Sequence, residues 1–509
     1  MWRRTYFFLI LVRLYFALSP SYLHPDENFQ GPEVIAGRVF SYPAHHTWEF
    51  TSDSPIRSVF PLWLVYGLPM YVLRELWEGS GRGEVPPEVA YYTLRILMFI
   101  LSFVLEDWAI QELVKSSRQR RVAMILVASS YVTWTWQMHT FSNSIETLVL
   151  LWSLALIARI HEDKQHSSVF ACAVLAFCTV LGTFNRITFP AFLVIPGLSL
   201  FPHFWRKPFS LVSMILAGAF TLFLALSVDT SFYNPSEPFT FRRILINPLI
   251  TPLNNVLYNS SHTNLAEHGI HPYYQHLVAN LPQLLGPAFP LVFFSPRRSW
   301  RLYAAACGVL VLSCFPHQEA RFLMPAVPLI LSSIRLPRHL LGLWITIWII
   351  FNVALGTLMG VYHQGGVVPA QIWLSKQQNI RKVFYWKTYS APVWLINGNA
   401  TATEVVNLMG MSGDDLIQRL IAEAPCRNET SSTVVDGSVV VAVPSSATFI
   451  DPHVMNNITA DLIFRDLWRY RNHINLDDLD IGEEGIEGTF HRVIERRGLV
   501  LWEVEKKCP

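Results

Sequence analysis

The chain has 509 residues, of which 51% are hydrophobic and only 15% charged, with a formal net charge of +2. Soluble domains carry about 25% charged residues. The deficit runs over most of the length, which excludes a soluble protein with a single anchor and marks a polytopic membrane protein; nothing in the pattern suggests nucleic-acid recognition.

From the N-terminus, Met1-Trp2-Arg3-Arg4 leads an apolar run to Leu18. Pro20 after Ser19 disfavours cleavage, so an uncleaved first span is expected near 5–22. His24-Pro25-Asp26-Glu27-Asn28-Phe29-Gln30 follows at once, putting two carboxylates where the chain leaves the bilayer. Ionisable groups there are costly to desolvate and tend to mark function. The stretch 57–77 holds Pro61, Pro69 and several charges, and reads as an interfacial or re-entrant piece. Further spans are expected near 89–114, 122–138, 144–160, 167–184, 188–204, 208–228, 275–295, 299–315, 321–335 and 338–362, about eleven crossings in all.

Basic residues fix the orientation. Arg3 and Arg4, Lys115 with Arg118, Arg120 and Arg121, Arg206 with Lys207, Arg297 with Arg298 and Arg301, and Arg335 with Arg338 all fall on one side if 57–77 does not cross. That side is cytosolic, which makes the C-terminus lumenal. The sequons at Asn259, Asn399, Asn428 and Asn457 then all lie in the lumen. Two lumenal loops, 23–88 and 229–274, interrupt a transmembrane domain over 1–362. The more polar residues 363–509, with the Val-rich stretch 438–443, read as a small α+β lumenal domain. Cys172, Cys178, Cys307 and Cys314 lie in apolar segments as packing residues. Cys426 and Cys508 are free to pair in an oxidising compartment.

On this topology the unusual polar groups collect on the lumenal face. They are the 24–30 loop, Glu49 and Arg57, the run His139 to Ser144 with Asn143, Asn185-Arg186, and His317-Gln318-Glu319-Ala320-Arg321. Displacing a phosphate from a sugar carbon needs a base for the attacking hydroxyl and cations for the leaving group. Asp26 or Glu27 suits the first task, Asp26 being the better placed candidate. Arg321 and His317, helped by Arg57 or Arg186, suit the second. The competing structural readings are an ion pair among His317, Glu319 and Arg321, interfacial anchoring by Arg57 and Arg186, and helix capping by Ser142-Asn143. Non-catalytic alternatives are a transporter, against which no inverted repeat is visible, and a scaffold subunit, which would tolerate loss of Asp26.

The loop His24-Pro25-Asp26-Glu27 with Phe29-Gln30 and Pro32-Glu33-Val34, paired with His317-Gln318-Glu319-Ala320-Arg321-Phe322, resembles family 22 of the GT-C glycosyltransferases. These are mannosyltransferases that use dolichyl-phosphate mannose. His-Pro before the acidic pair is similar to the branch that builds GPI anchors. Asn28-Phe29-Gln30 and His139 to Ser144 are closer to its fourth-mannose members than to its third-mannose members. The third-mannose and N-glycan-precursor enzymes are the neighbouring possibilities.

The resemblance implies a mainly α, GT-C-type membrane enzyme of the endoplasmic reticulum. It would add mannose in α1,2 linkage to the third mannose of a lipid-linked GPI precursor. The donor in this family is β-linked, so an α product means inversion in one displacement. The resemblance implies catalysis by Asp26 and Glu27, phosphate binding by His317, Arg321, Arg57 and Arg186, and substrate contacts from His24, Gln30, Glu49, His139, Asn143 and Glu319. No cofactor and no metal are expected.

Overall fold

The computed structural model describes the chain apart from Met1, 237–239, His268, 397–402, 428–436, 456–460, Glu483 and 508–509. The sequons at Asn399, Asn428 and Asn457 and the cysteine at 508 lie outside the described residues. The protein is mainly helical with a small C-terminal sheet. Among the described residues five helices are long and apolar enough to cross a membrane: Pro87–Leu113, Ser142–Glu162, Pro208–Tyr233, His276–Phe294 and Leu341–Tyr362. Val169–Asn185, Phe189–Leu198 and Trp300–Ser313 are shorter apolar helices.

Three expected spans are interrupted. Over 122–138 the Ser117–Ala128 helix stops at Ser129-Ser130 before two short turns, Tyr131–Trp134 and Trp136–Met138. Over 188–204, Phe189–Leu198 gives way to Phe201–Arg206, with Pro196 and Pro202 removing backbone donors. Over 321–335, a 3-10 turn Ala320–Leu323 precedes Ala326–Leu331, with Pro325 between them. By contrast 57–77 is helical from Phe60 to Gly79. Pro61 sits in its first turn, where a missing N–H costs nothing, and a π-turn at Trp63–Gly67 leads into Pro69.

The chain divides into two compact units. The first comprises 1–17, 46–69 and 94–355. Its apolar cores join the Ser142–Glu162 and Val169–Asn185 helices through Leu156, Ile157, Ile160, Cys172 and Leu175. Phe60 meets Leu181, Phe184 and Ala225. Glycines let its helices approach closely. A Cβ on Gly182 would fall 2.5 Å from the Phe189 ring, and one on Gly308 would fall 2.2 Å from Phe192. Inside this unit Arg13 makes a two-pronged contact with Asp107 at 3.0 and 3.1 Å, and both are buried.

The second unit comprises 18–45, 70–93 and 356–509. Its sheet consists of β1 (Ile380–Trp386), β2 (Glu404–Met409), β3 (Cys426–Arg427), β4 (Ser438–Pro444), β5 (Leu462–Tyr470) and β6 (Leu499–Lys507). The order is β2-β1-β4-β6-β3, with β5 paired to β6. β1 runs parallel to β2 and β4, and β6 runs antiparallel to β4 and β5. The valine run fills β4, buried on both faces as continuous apolar strands are. Leu416, Ile417 and Leu420 of the Gly413–Glu423 helix close the core over Phe384, Val439 and Val441. Ser412 caps that helix by accepting from the Asp415 N–H at 3.2 Å. Cys426 is disulfide-bonded.

The Gly182 contact yields a prediction. Gly182→Val forces the Phe189 ring to move, and overpacking of this kind costs about 1–3 kcal/mol. Its melting temperature in detergent should fall, while Gly197→Ala, whose Cβ meets nothing within 4 Å, should melt as the parent does.

Candidate active site

The acidic loop belongs to the second unit. Its carboxylates sit on a single helical turn, Asp26–Phe29, entered through Pro25, whose fixed φ suits a helix start. The two behave differently. The Asp26 side chain keeps 21% of its surface, whereas Glu27 keeps 2%. Gln30 donates its side-chain amide to Asp26 Oδ2 at 2.5 Å, one turn away on the same face. His24 Nδ1 accepts the Asp26 backbone N–H at 3.2 Å and lies 3.4 Å from Asp26 Oδ1. Glu27 turns inward and accepts the Leu23 N–H at 3.4 Å.

A third carboxyl, Glu33, is fully buried. It accepts the His45 N–H at 2.8 Å and backbone N–H groups of Val393 and Trp394. Burial outweighs those donors and lifts its pKa to about 8. Asn28 is fixed by Trp394, whose indole donates to its Oδ1 at 3.3 Å. The loop is therefore lined by the segment that follows β1.

The cationic residues belong to the first unit, and the structure gathers most of them. Arg186 leaves the Val169–Asn185 helix with its N–H on the Gly182 carbonyl at 2.8 Å. Its Nη1 donates to Ser142 Oγ at 3.2 Å and Asn143 Oδ1 at 3.4 Å. Its Nε lies 3.2 Å from Glu146 without hydrogen-bond geometry. Thr188 donates to the other Glu146 oxygen at 3.2 Å. Ser142 and Asn143 thus act on Arg186; the helix start at Ser142 has no side-chain cap. Arg57 pairs with Glu49 at 2.8 Å. Arg321 pairs with Glu319, which also takes His317 Nε2 at 2.9 Å.

Phe322 organises the group. The Arg186 and Arg321 guanidiniums lie 5.0 and 5.5 Å from its ring centre, and the His317 ring is 5.5 Å away. Burial, joined by Arg57 and Arg321 and opposed by Glu146, lowers the Arg186 pKa to about 10. Like charges held this close are what an anion site requires. Burial pulls His317 down, but its hydrogen bond to Glu319 and that carboxylate's charge prevail and raise its pKa. Its Nδ1 faces the Gly269 carbonyl at 3.1 Å, so the imidazolium satisfies both nitrogens.

His139 stands elsewhere in this unit, buried against Phe141 at 6.3 Å. Burial and the nearby Arg95 push its pKa well below the ordinary value, so it serves as a neutral group and adds no charge for a phosphate. Asn259 ends the Thr251–Asn259 helix and donates to Asn255 at 2.9 Å.

The sequence reading missed Glu146, Glu33 and Phe322 as site residues. Glu146 had a usable signal, a lone carboxylate within an apolar helix, which is expected to have a functional partner.

These features define a class of protein before any particular relative. The fold is that of the membrane-embedded GT-C glycosyltransferases: ArnT from Cupriavidus metallidurans, solved bound to undecaprenyl phosphate, superposes with a TM-score of 0.50 at 12% identity over 99% of this chain and 98% of that one. Residues 4–396 match the Alg9-like mannosyltransferase family, and the chain belongs to that family. It is similar to GPI mannosyltransferase 4 of Aspergillus oryzae, 52% identical over 99% of both chains. It is also similar to the proteins of that name from Yarrowia lipolytica, 39% identical over 94% and 96%, and Saccharomyces cerevisiae, 33% identical over 93% and 94%. The protein is a multi-pass membrane mannosyltransferase.

His317 gives a pH prediction. A histidine whose pKa rises on folding stabilises fully below 6.5, its ordinary value, and that contribution is lost as pH rises through the folded value. The melting temperature should therefore decline from pH 6 to 9 more steeply in the parent than in His317→Gln. Equal slopes would remove the imidazolium.

Proposed function

We propose that this enzyme transfers mannose from dolichyl-phosphate mannose to the third mannose of a GPI precursor, forming an α1,2 linkage in the lumen of the endoplasmic reticulum. The observation that carries the reading is the full-length similarity to proteins named GPI mannosyltransferase 4, up to 52% identity. The polyprenyl phosphate named for ArnT supports a lipid-phosphate donor.

In this proposal Asp26 is the general base. It is the carboxylate of the pair that stays accessible, and it accepts the Gln30 amide. It takes the proton of the acceptor hydroxyl as that oxygen attacks the anomeric carbon. The C–O bond to phosphate breaks with inversion, and dolichyl phosphate leaves carrying the electron pair. Glu27 holds the turn through the Leu23 N–H. Arg186, Arg321, Arg57 and His317 hold the donor phosphate. Glu49, Glu146 and Glu319 hold these cationic groups in place, so positive charge comes from side chains and we propose transfer without a metal. Guanidinium is suited to this by its fixed, always charged fork of donors.

The test is the lipid profile of cells depleted of this protein. A precursor carrying three mannoses should accumulate, and wild type but not Asp26→Asn should clear it. Removing a general base costs about 10²–10⁴-fold in rate. A precursor with two mannoses would move the enzyme to the preceding step, and unchanged GPI lipids would sink the reading.

A further inference from the structure

The chain leaves β1 with a sharp change of direction. Lys387 takes a positive φ of 52° and donates its N–H to the carbonyl of Met409, itself at φ 47°. Non-glycine residues adopt this region only where their surroundings impose it, and here a buried network does so. Asn475 donates to the Lys387 carbonyl at 3.1 Å and accepts from the Gln364 amide at 3.0 Å. Gln364, also at positive φ (48°), accepts the Tyr389 N–H at 3.4 Å. Tyr22 donates its hydroxyl to the Ser390 carbonyl at 2.6 Å.

The product of this network is the placement of one ring. Tyr389 meets the rings of His363, His24 and Tyr22 edge-on at 5.3, 6.0 and 6.2 Å. Such edge-to-face contacts orient as well as bury. His363 also bonds the Leu23 carbonyl, so the backbone just ahead of His24 is held too. His24 then receives the Asp26 N–H on Nδ1. The line from β1 to the carboxylate contains no gap.

We propose that Tyr389 is a positioning residue for mannosyl transfer: its ring fixes the His24 imidazole, which fixes the turn presenting Asp26. The inference rests on Asp26 being the base. On it, the C-terminal domain supplies the second layer of the acidic loop.

The test uses full-length enzyme in membranes, assayed for transfer from dolichyl-phosphate mannose, with Tyr389→Leu, Tyr389→Phe, His24→Ala and the double variant Tyr389→Leu/His24→Ala. Misplacing a catalytic group by about 1 Å costs on the order of 100-fold, so Tyr389→Leu should lower kcat by about 10–100-fold with the donor KM unchanged. Tyr389→Phe, which keeps the ring, should restore most of that loss, and Tyr389→Leu should cost nothing further once His24 is Ala. Independent, multiplying losses in the double variant would overturn the proposal. So would equal losses in Tyr389→Phe and Tyr389→Leu at an unchanged melting temperature, which would make the hydroxyl a direct substrate contact. Asp26→Asn in the same membranes reports on the base separately, so either result beside an inactive Asp26→Asn removes Tyr389's role and leaves the base in place.

Discussion

The cost of taking charge out of water governs this structure. Four cations within the first unit meet carboxylates, Arg13 with Asp107, Arg57 with Glu49, Arg186 with Glu146 and Arg321 with Glu319, while Arg95 and Arg301 are held by backbone carbonyls. A buried pair of this kind adds little net stability, but removing one partner strands the other at about 3–5 kcal/mol. The pairs therefore act mainly as constraints on geometry. Glu146 and the Gly182 carbonyl decide where the Arg186 guanidinium sits. Glu319 decides the distance between His317 and Arg321. Phe322 offers the two guanidiniums a shared aromatic ring that asks for no further charge. The result is a set of donors held in fixed orientation, the condition under which electrostatic stabilisation is most effective.

The same constraint, applied to the acidic loop, sorts carboxyls by role. Glu33 is buried deeply enough to have its pKa raised to about 8, so at neutral pH it is mostly protonated and works as a neutral hydrogen-bonding group. Glu27 is buried and accepts a backbone N–H. Asp26 retains contact with solvent and with the Gln30 amide. Neighbouring positions of one loop thus diverge because their environments differ. Residues 389–394, on the far side of β1, create that difference. In this account the small sheet carries the segment that shapes the loop.

Much of this was legible in the sequence. The charge deficit and the apolar runs gave a polytopic helical protein, and the two motifs gave the family. The proximity of Arg57, Glu49, Asn143, Arg186, Glu319 and Arg321 followed from loop topology alone. The interruptions at 129–130, 199–200 and 324–325 were harder to read, since hydropathy averages over the Pro or Ser residues at which a helix stops. Glu146 carried a signal, a carboxylate within an apolar helix, but close behind Ser142-Asn143 it also reads as capping chemistry. Tyr389 left no local sign, because its contact with His24 joins positions from opposite ends of the chain through the register of β1. Periodicity reports which face a side chain takes, and tertiary contacts of that range lie beyond it.

The central claim is that Asp26 does chemistry while Glu27 does architecture. The most direct measurement compares turnover and melting temperature for purified Asp26→Asn and Glu27→Gln. The account predicts that Asp26→Asn melts like the parent with turnover reduced by about 10²–10⁴-fold. Glu27→Gln should melt earlier and keep measurable turnover. An active Asp26→Asn beside a stable but inactive Glu27→Gln would contradict it.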